Sequence, residues 1–470
     1  MTHLILWNSY SAGDSGRFDP NFKWDCSNYS PNRPLGPHQL ASFLRSFGYK
    51  IRVIDFCSHI KTKDLVSITE KLITKDTIGI GISITFLSNS EGESEWIIKA
   101  RDILESRYPD VEWIMGGNRV ARFRNKLHWK IFNGYAEDTV LKWLDEKTKE
   151  IDFRKPFDIK NSKTHYLDED FIQSGEILNL ELGRGCQFKC KFCRYPLVGK
   201  TPGTYTKFKD TIKNELLENY ERWGTTRYNF IDDTVNESKE KVEDLARIAQ
   251  ELPFELEWVG YCRPDLIWAH RDTIQTLKDS GLRSATFGIE TFHPEASKKV
   301  GKGWSGRRAK DFLLELKQIW KNDITWLSGM IVGLPGEPLE ELDEHNYWFM
   351  ENEMYCWRWS PLIVYKNIKD RTWLSEFDIN SEKYGIRFKE DGTWEHDSCT
   401  FNEAYAKAAE LTKFAKFETK ISGFTLTEVC STGIPLKEMM DSREIDVFPF
   451  YRIEQELDIM VKKYVDFQLK

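Results

Sequence analysis

The sequence predicts an α/β protein: two parallel-sheet units followed by a mainly helical segment. Two observations predict this. Short apolar runs of strand length alternate with helix-spaced segments from His3 to about Tyr365. In the second half, charged residues recur where the predicted strands end, at Asp232, Asp233, Arg263 and Glu290. Regular alternation of this kind builds parallel sheets with helices on their faces. A purely structural barrel would not need charge on strand after strand at one end.

The chain has 470 residues, enough for two or three domains. Its net charge of −7 carries no global signal for a polyanion, so a nucleic-acid partner is not expected. Apolar runs are short and broken by charge, so no membrane span is expected. The opening MTHLILWNSYSAGD lacks a basic leader and a long apolar region, and reads as a first strand rather than a signal peptide. Nine cysteines without a paired framework imply a reducing compartment, and a cytoplasmic location is expected.

Residues 1–150 form the first predicted unit, a Rossmann-like doubly wound sheet. His3 to Trp7 is a strand, and Pro34 to Gly48 a helix stopped by its glycine. Strand Ile51 to Phe56, a helix over about Thr62 to Ile73 and the buried strand Thr77 to Thr85 follow. A helix over Glu91 to Arg107 leads to strand Val111 to Met115, which ends in Gly116-Gly117. Arg119 to Lys130 is a basic run with interleaved aromatics, read as a solvated loop and helix face in preference to a phosphate site. Ligands of such sheets bind beyond the carboxyl ends of the strands. Residues 151–175 are charged and aperiodic and read as a linker.

Residues 176–380 repeat the strand-helix unit six times, which predicts a partial (β/α)6 TIM-like barrel. Strands are expected at Ile177 to Leu182, Arg227 to Ile231, Glu255 to Tyr261, Ser284 to Ile289, Thr325 to Val332 and Ser360 to Tyr365. Helices are expected at Lys209 to Trp223, Lys239 to Glu251, Arg271 to Ser280 and Ala309 to Asn322. Barrels of this kind place their chemistry at the strand carboxyl ends. Residues 381–470 carry helical spacing over Phe401 to Lys416 and Ile453 to Val465, and are expected to cap the barrel mouth.

The chemistry concentrates in GCQFKCKFCR, from Gly185 to Arg194. Cys186, Cys190 and Cys193 are spaced C-x3-C-x2-C on the loop after the first barrel strand. Thiolates suit iron–sulfur clusters or zinc. Structural zinc wants four ligands, usually as two separated pairs. Three cysteines on a 4Fe–4S cluster leave one iron open to a substrate or cofactor. Cys356, Cys399 and Cys430 are too scattered for a second cluster.

This stretch, with Phe192 before the last cysteine, resembles the signature of the radical S-adenosylmethionine family. The resemblance implies that the open iron chelates S-adenosylmethionine, which one electron then cleaves to a 5′-deoxyadenosyl radical. YNFIDDTVN resembles the family's second-strand motif, which makes Asp232 or Asp233 the acceptor for the methionyl ammonium group. Arg263 is a candidate for the methionyl carboxylate. GIETFHPEASKKVGKG resembles the fourth-strand segment, where Glu290 would bond ribose or the methionyl group and Lys302 the carboxylate. SGMIVGLPGE resembles the fifth-strand motif, where Ile331 and Gly333 would let backbone lie against adenine, with Phe192 stacked nearby. Tyr195, Tyr261, Trp357 and Trp359 are weaker candidates for meeting substrate.

The first unit resembles the cobalamin-binding domain that precedes many such cores, through PLGPHQLASFLRSFGYKIRVID, the Gly116-Gly117 pair and NGYAEDTVLKWL. It departs from the D-x-H-x-x-G pattern of domains that ligate cobalt through histidine. Asp55 is followed by His59 at the wrong spacing, so His38 and His59 read as ordinary surface or core residues. Cobalamin stays open, with Gly116 and Gly117 supplying shape rather than ligation.

The expectation is an enzyme acting on a small-molecule substrate, by methylation or by hydrogen abstraction and rearrangement, with a flavodoxin or ferredoxin as reductant. The rivals are a non-catalytic iron–sulfur protein for electron transfer or regulation and a zinc-bound structural protein. Cys26 and Cys57 fall short of the N-terminal set of RNA methylthiotransferases. Substrate and oligomeric state are not encoded in any motif.

Overall fold

The computed structural model describes residues 2–10, 32–85, 87, 91–117, 120, 129–149, 155–194, 204–321, 323–354, 356–366, 373–419 and 448–470. Tyr195, Cys26, Cys430 and nearly all of the basic run from Arg119 lie outside them. The chain divides into two compact units. The first comprises Met1–Leu180, Asp210–Thr225 and Tyr451–Lys470, and the second Glu181–Lys209 and Thr226–Phe450.

The first unit is built on a five-stranded sheet of β1 (Leu4–Trp7), β2 (Ile51–Ile54), β3 (Gly79–Ser83), β4 (Glu112–Gly116) and β5 (Lys130–Phe132). The strand order is β2-β1-β3-β4-β5 and its pairings are parallel. All four residues of β1 are buried, as a central strand requires. Their side chains alternate between two cores. Leu4 and Leu6 pack with Leu44, Val53 and Leu144 on one face, while Ile5 and Trp7 pack with Leu65, Ile82 and Ile97 on the other. Two covered faces make this a doubly wound sheet. β5 was not anticipated, because three residues starting on a lysine give too short a pattern.

The final helix, Phe448–Leu469, belongs to this unit over Tyr451–Lys470. Its Leu457, Val461 and Tyr464 enter the core that holds Ile5 and Trp7. The Tyr464 hydroxyl accepts a hydrogen bond from the Asp55 amide at 3.0 Å.

The second sheet comprises β6 (Leu178–Glu181), β7 (Arg227–Ile231), β8 (Glu257–Cys262), β9 (Leu282–Glu290), β10 (Thr325–Val332) and β11 (Cys356–Pro361). Its order is sequential, from β6 at one edge to β11 at the other, and the pairings from β7 to β11 are parallel. This is the wall of βα repeats that the alternation predicts. The sixth strand lies four residues earlier than expected. The strand ends at Pro361, with the Leu362 amide making a last bond to the Val332 carbonyl at 2.8 Å before the apolar run leaves the sheet. Trp357 and Trp359 both donate their indole N–H to Asn346 Oδ1, at 2.6 and 3.0 Å, and are core residues. An unanticipated short helix, Pro264–Ala269, starts on a proline that needs no amide partner there.

Beyond residue 381 the long helix Phe401–Thr419 appears as expected, preceded by a small antiparallel sheet of β12 (Arg387–Phe388), β13 (Trp394–His396) and β14 (Cys399–Thr400). Among the described residues no helix is long and apolar enough to cross a membrane.

Candidate functional site

The cysteine loop leaves β6 and is anchored by several neighbouring strand ends. The Gly185 amide donates to Asp233 Oδ2 at 3.1 Å, and Gln187 Nε2 to the Glu237 carbonyl at 2.8 Å, both after β7. Cys186 Sγ lies 3.3 Å from Thr234 Oγ1. The Lys191 amide bonds the Val300 carbonyl at 3.0 Å, and the Lys191 carbonyl accepts from the Phe377 amide at 3.0 Å. Arg194 closes the segment with two 2.8 Å bonds to Asp378 and stacks on Tyr365.

Cys186, Cys190 and Cys193 thus share one braced loop, with the Cys193 amide bonded to the Cys190 carbonyl at 3.0 Å. Burial raises the Cys186 thiol above its ordinary pKa, so metal rather than the protein alone would favour its thiolate. Among the described residues no three Cys, His, Asp or Glu side chains gather around a point that would hold a single ion. A four-iron cube spaces its cysteine sulfurs more widely than one ion does. The donor type and the common loop therefore fit a cluster held by three cysteines.

At the end of β7 the two aspartates have separate tasks. Asp232 is buried, with Oδ2 2.7 Å from Lys241 Nζ and Oδ1 accepting the Thr234 amide at 2.8 Å. Lys241 also holds Glu237 at 2.8 Å, and Glu237 accepts from Tyr205 at 2.5 Å. Asp233 opens to solvent but is crowded by protein on most sides. That burial, with Asp232 adjacent, pushes its carboxyl up to about 7, against the Gly185 amide that favours the anion. Of the predicted pair, Asp232 is committed to a cation of the protein.

Arg263, after β8, is also committed. Its Nε and Nη2 bond Asp265 at 3.1 and 2.6 Å, and its Nη1 donates to Cys190 Sγ at 3.3 Å. The fork that would suit a carboxylate already grips one within the protein. Lys302 donates to the Gly288 carbonyl and lies 3.0 Å from Glu290 Oε1, so it holds Glu290. Glu290 has φ of 69°, in the left-handed region that non-glycine residues seldom occupy. A register shift in the β9–β10 pairing occurs beside it, where Met330 pairs with Glu290. Strained backbone of this kind is found where a side chain must be aimed.

Ile331 is half-buried on β10, and Phe192 is half-buried in the cysteine loop. Gly333 has φ of 88°, and a Cβ there would stand 2.7 Å from the Trp394 ring and 2.8 Å from Ala404 Cβ. Its close neighbour within the protein is therefore Trp394. Tyr261 is 55% exposed at the end of β8.

In the first unit Gly116 ends β4, and Gly117, at φ of 116°, passes so close to Thr85 that any Cβ would collide with it. His38 is fully buried, with Nε2 3.0 Å from both oxygens of Asp55, which makes it a core residue. His59 sits in a single turn of 3-10 helix, Cys57–His59. Sequence reasoning missed Lys241, Asn236, Asp265 and Phe188. Asn236 and Phe188 stand inside the quoted stretches YNFIDDTVN and GCQFKCKFCR, whereas Lys241 and Asp265 stand in neither.

A strand-end cysteine loop of this type, braced within a wall of sequential parallel strands, defines a candidate iron–sulfur site. Residues 180–346 match the Radical SAM superfamily. It is 24% identical over 344 residues to the uncharacterized methyltransferase PH0819 of Pyrococcus horikoshii, covering 66% of this chain and 71% of that relative. In fold it resembles the radical S-adenosylmethionine methyltransferase TsrM from Kitasatospora setae, solved with tryptophan substrate and the analogue aza-SAM. The TM-score is 0.64 at 15% identity, covering 97% of this chain and 99% of that one. It also resembles the cobalamin-dependent S-adenosylmethionine radical enzyme OxsB, solved with aqua-cobalamin and S-adenosylmethionine. There the TM-score is 0.57 at 13% identity, covering 100% of this chain and 72% of that one.

Proposed function

We propose that this enzyme methylates a small-molecule substrate, with a 4Fe–4S cluster on Cys186, Cys190 and Cys193, S-adenosylmethionine at the strand ends of the second sheet, and cobalamin in the first unit. The observation that carries the reading is the braced three-cysteine loop at the start of the segment matching the Radical SAM superfamily. The fold likeness to TsrM, solved with cobalamin and a [4Fe-4S] cluster bound, supports the methyl-transfer branch. The order β2-β1-β3-β4-β5 supports the cobalamin branch, because it has a topological switch point between β1 and β3. When bound, the cluster supplies the electron that cleaves S-adenosylmethionine, and cobalamin serves as methyl carrier.

The chain's own residues bind and orient. Asp233, uncommitted to a cation, accepts the methionyl ammonium group in this reading. Glu290, fixed by Lys302, faces ribose or the methionyl group. Phe192 and Ile331 flank adenine, and Gly333 turns the backbone beneath it. Gly116 and Gly117 offer a flat surface to cobalamin, and His38, engaged by Asp55, does not reach cobalt. The division into a cobalamin-binding-like module over 1–150, a linker, a catalytic core over 176–380 and a C-terminal segment is part of the same proposal. So are a flavodoxin or ferredoxin reductant and a reducing, low-oxygen cytoplasm.

The test is anaerobic reconstitution with iron, sulfide and cobalamin, followed by dithionite and S-adenosylmethionine. A brown 4Fe–4S spectrum, cobalamin that co-elutes on gel filtration and release of S-adenosylhomocysteine are expected. Release of 5′-deoxyadenosine alone would assign hydrogen abstraction and rearrangement instead. A full cluster that yields neither product would overturn the enzymatic reading.

A further inference from the structure

We infer that Arg263 is a cation hydrogen-bonded to the Cys190 sulfur and that it raises the reduction potential of the cluster this loop holds, an inference that rests on the cluster reading above. Arg263 Nη1 lies 3.3 Å from Cys190 Sγ. Its guanidinium carbon stands 4.2 Å from the centroid of Phe188, the residue midway between Cys186 and Cys190. The cation therefore grips the loop at two points, a sulfur and a ring face.

The placement is built rather than incidental. Asp265 occupies Nε and Nη2, which leaves the Nη1 edge for the sulfur. Asn236 clamps the backbone in both directions, accepting the Arg263 amide at 2.8 Å and donating to its carbonyl at 2.9 Å. Asn236 and Arg263 are both buried, so the geometry is held in a low-dielectric setting. A guanidinium stays protonated in proteins, so Arg263 remains a cation despite its burial.

Reduction adds one negative charge to a cluster and its thiolates. A fixed donor cation on one thiolate stabilises the reduced state more than the oxidised one, and hydrogen bonds to cluster sulfurs are a known lever on potential. Asp265 carries the opposite charge and offsets part of that effect. The two residues should therefore move the potential in opposite directions.

The experiment is an EPR-monitored redox titration of the anaerobically reconstituted full chain, with iron content measured on each sample. Arg263→Gln should lower the midpoint, so that the reduced-to-oxidised ratio at fixed potential falls roughly three- to tenfold. Tenfold corresponds to about 59 mV for a one-electron couple. Arg263→Lys should fall between wild type and Arg263→Gln, and Asp265→Asn should shift the midpoint upward. An unchanged midpoint in Arg263→Gln overturns the assignment. So does loss of iron from the Arg263 variants with no shift in the cluster that remains, which would mark a purely structural role. Wild-type protein that takes up no iron overturns the cluster reading itself.

Discussion

Glu337 and His345 lie 3.6 Å apart, both nearly out of solvent, and neither carries a charge at neutral pH. Burial pushes the Glu337 carboxyl up to about 8, although Thr291 donates to its Oε1 at 2.6 Å. Burial lowers His345 to about 4, helped by Lys310 and His293 nearby. Glu337 Oε2 and His345 Nδ1 make no hydrogen bond within the described residues. Distance alone would call this an ion pair, but desolvation outweighs the mutual attraction.

Stability should therefore fall as pH rises from about 6.5 to 8. Over that interval folded Glu337 holds a proton that the unfolded chain has released, so the folded state is penalised as protons become scarce. The penalty saturates above about pH 8. Below about 6.5, His345 contributes the opposite slope, because the unfolded imidazole binds a proton that the folded one refuses. The slope from Glu337 is at most about 1.4 kcal/mol per pH unit. Urea midpoints measured across this range should flatten in Glu337→Gln. A wild-type profile with no decline between pH 6.5 and 8 would refute the assignment.

Cysteine substitutions should separate the loop from the other thiols. Alanine at Cys186, Cys190 or Cys193 is expected to abolish stoichiometric iron binding and the visible spectrum. Cys399→Ala should keep both, because Cys399 is buried beside His396, and burial pushes its thiol up to about 12. Iron retained after loss of Cys190 would show that another ligand set holds the metal.

Arg33 joins distant parts of the first unit. It bonds Asp55 at 2.6 Å, the Asp170 carbonyl at 2.8 Å and both oxygens of Glu176, with all three carboxyl-bearing residues buried. Burial tends to raise the Asp55 carboxyl, but His38 and Arg33 bring it down to about 2. Arg33→Met would strand buried carboxylates and should cost about 3–5 kcal/mol in chemical denaturation. The Asp55 contribution is fully present above about pH 4 and is lost as pH falls through about 2. A loss below about 1 kcal/mol in Arg33→Met would mean that water solvates these carboxylates.

Gly333→Ala should destabilise by about 1–3 kcal/mol, since the new methyl meets Trp394 and Ala404 and the backbone is left-handed. Gly392→Ala is the control. Its φ of 84° is similar but nothing lies within 4 Å, so only the conformational cost of about 1 kcal/mol applies. Thermal unfolding of the two variants side by side checks the difference. Equal shifts would mean that the Trp394 contact yields without cost.

Much of the fold was legible because burial leaves a periodic trace. The helices Lys209–Trp223 and Lys239–Glu251 and the strands Arg227–Ile231 and Thr325–Val332 fall where their apolar spacing places them. The misplaced strand at Cys356–Pro361 shows the limit. Both Trp357-Trp359 and the run after Pro361 look like strand, and only the ladder with β10 decides between them. The three cysteines were legible for a different reason: ligands on one loop are local in sequence. Asp232 and Arg263 were found as strand-end charges, but their partners were not. Lys241 lies on an amphipathic helix whose pattern does not mark it, and Asp265 follows a proline that reads as a turn.

The sequence by itself determined the α/β alternation, the strand ends that carry charge and the thiolate loop, since each strand, helix and loop is read from residues that are neighbours along the chain. Only the tertiary structure decided how those charges are spent. It set Arg263 on Asp265 and Cys190, Lys302 on Glu290, His38 on Asp55, and the last helix in the core of the first unit. The reason is physical. A buried charge must find its counter-charge wherever packing brings one, and packing joins residues with no regard for their distance along the chain.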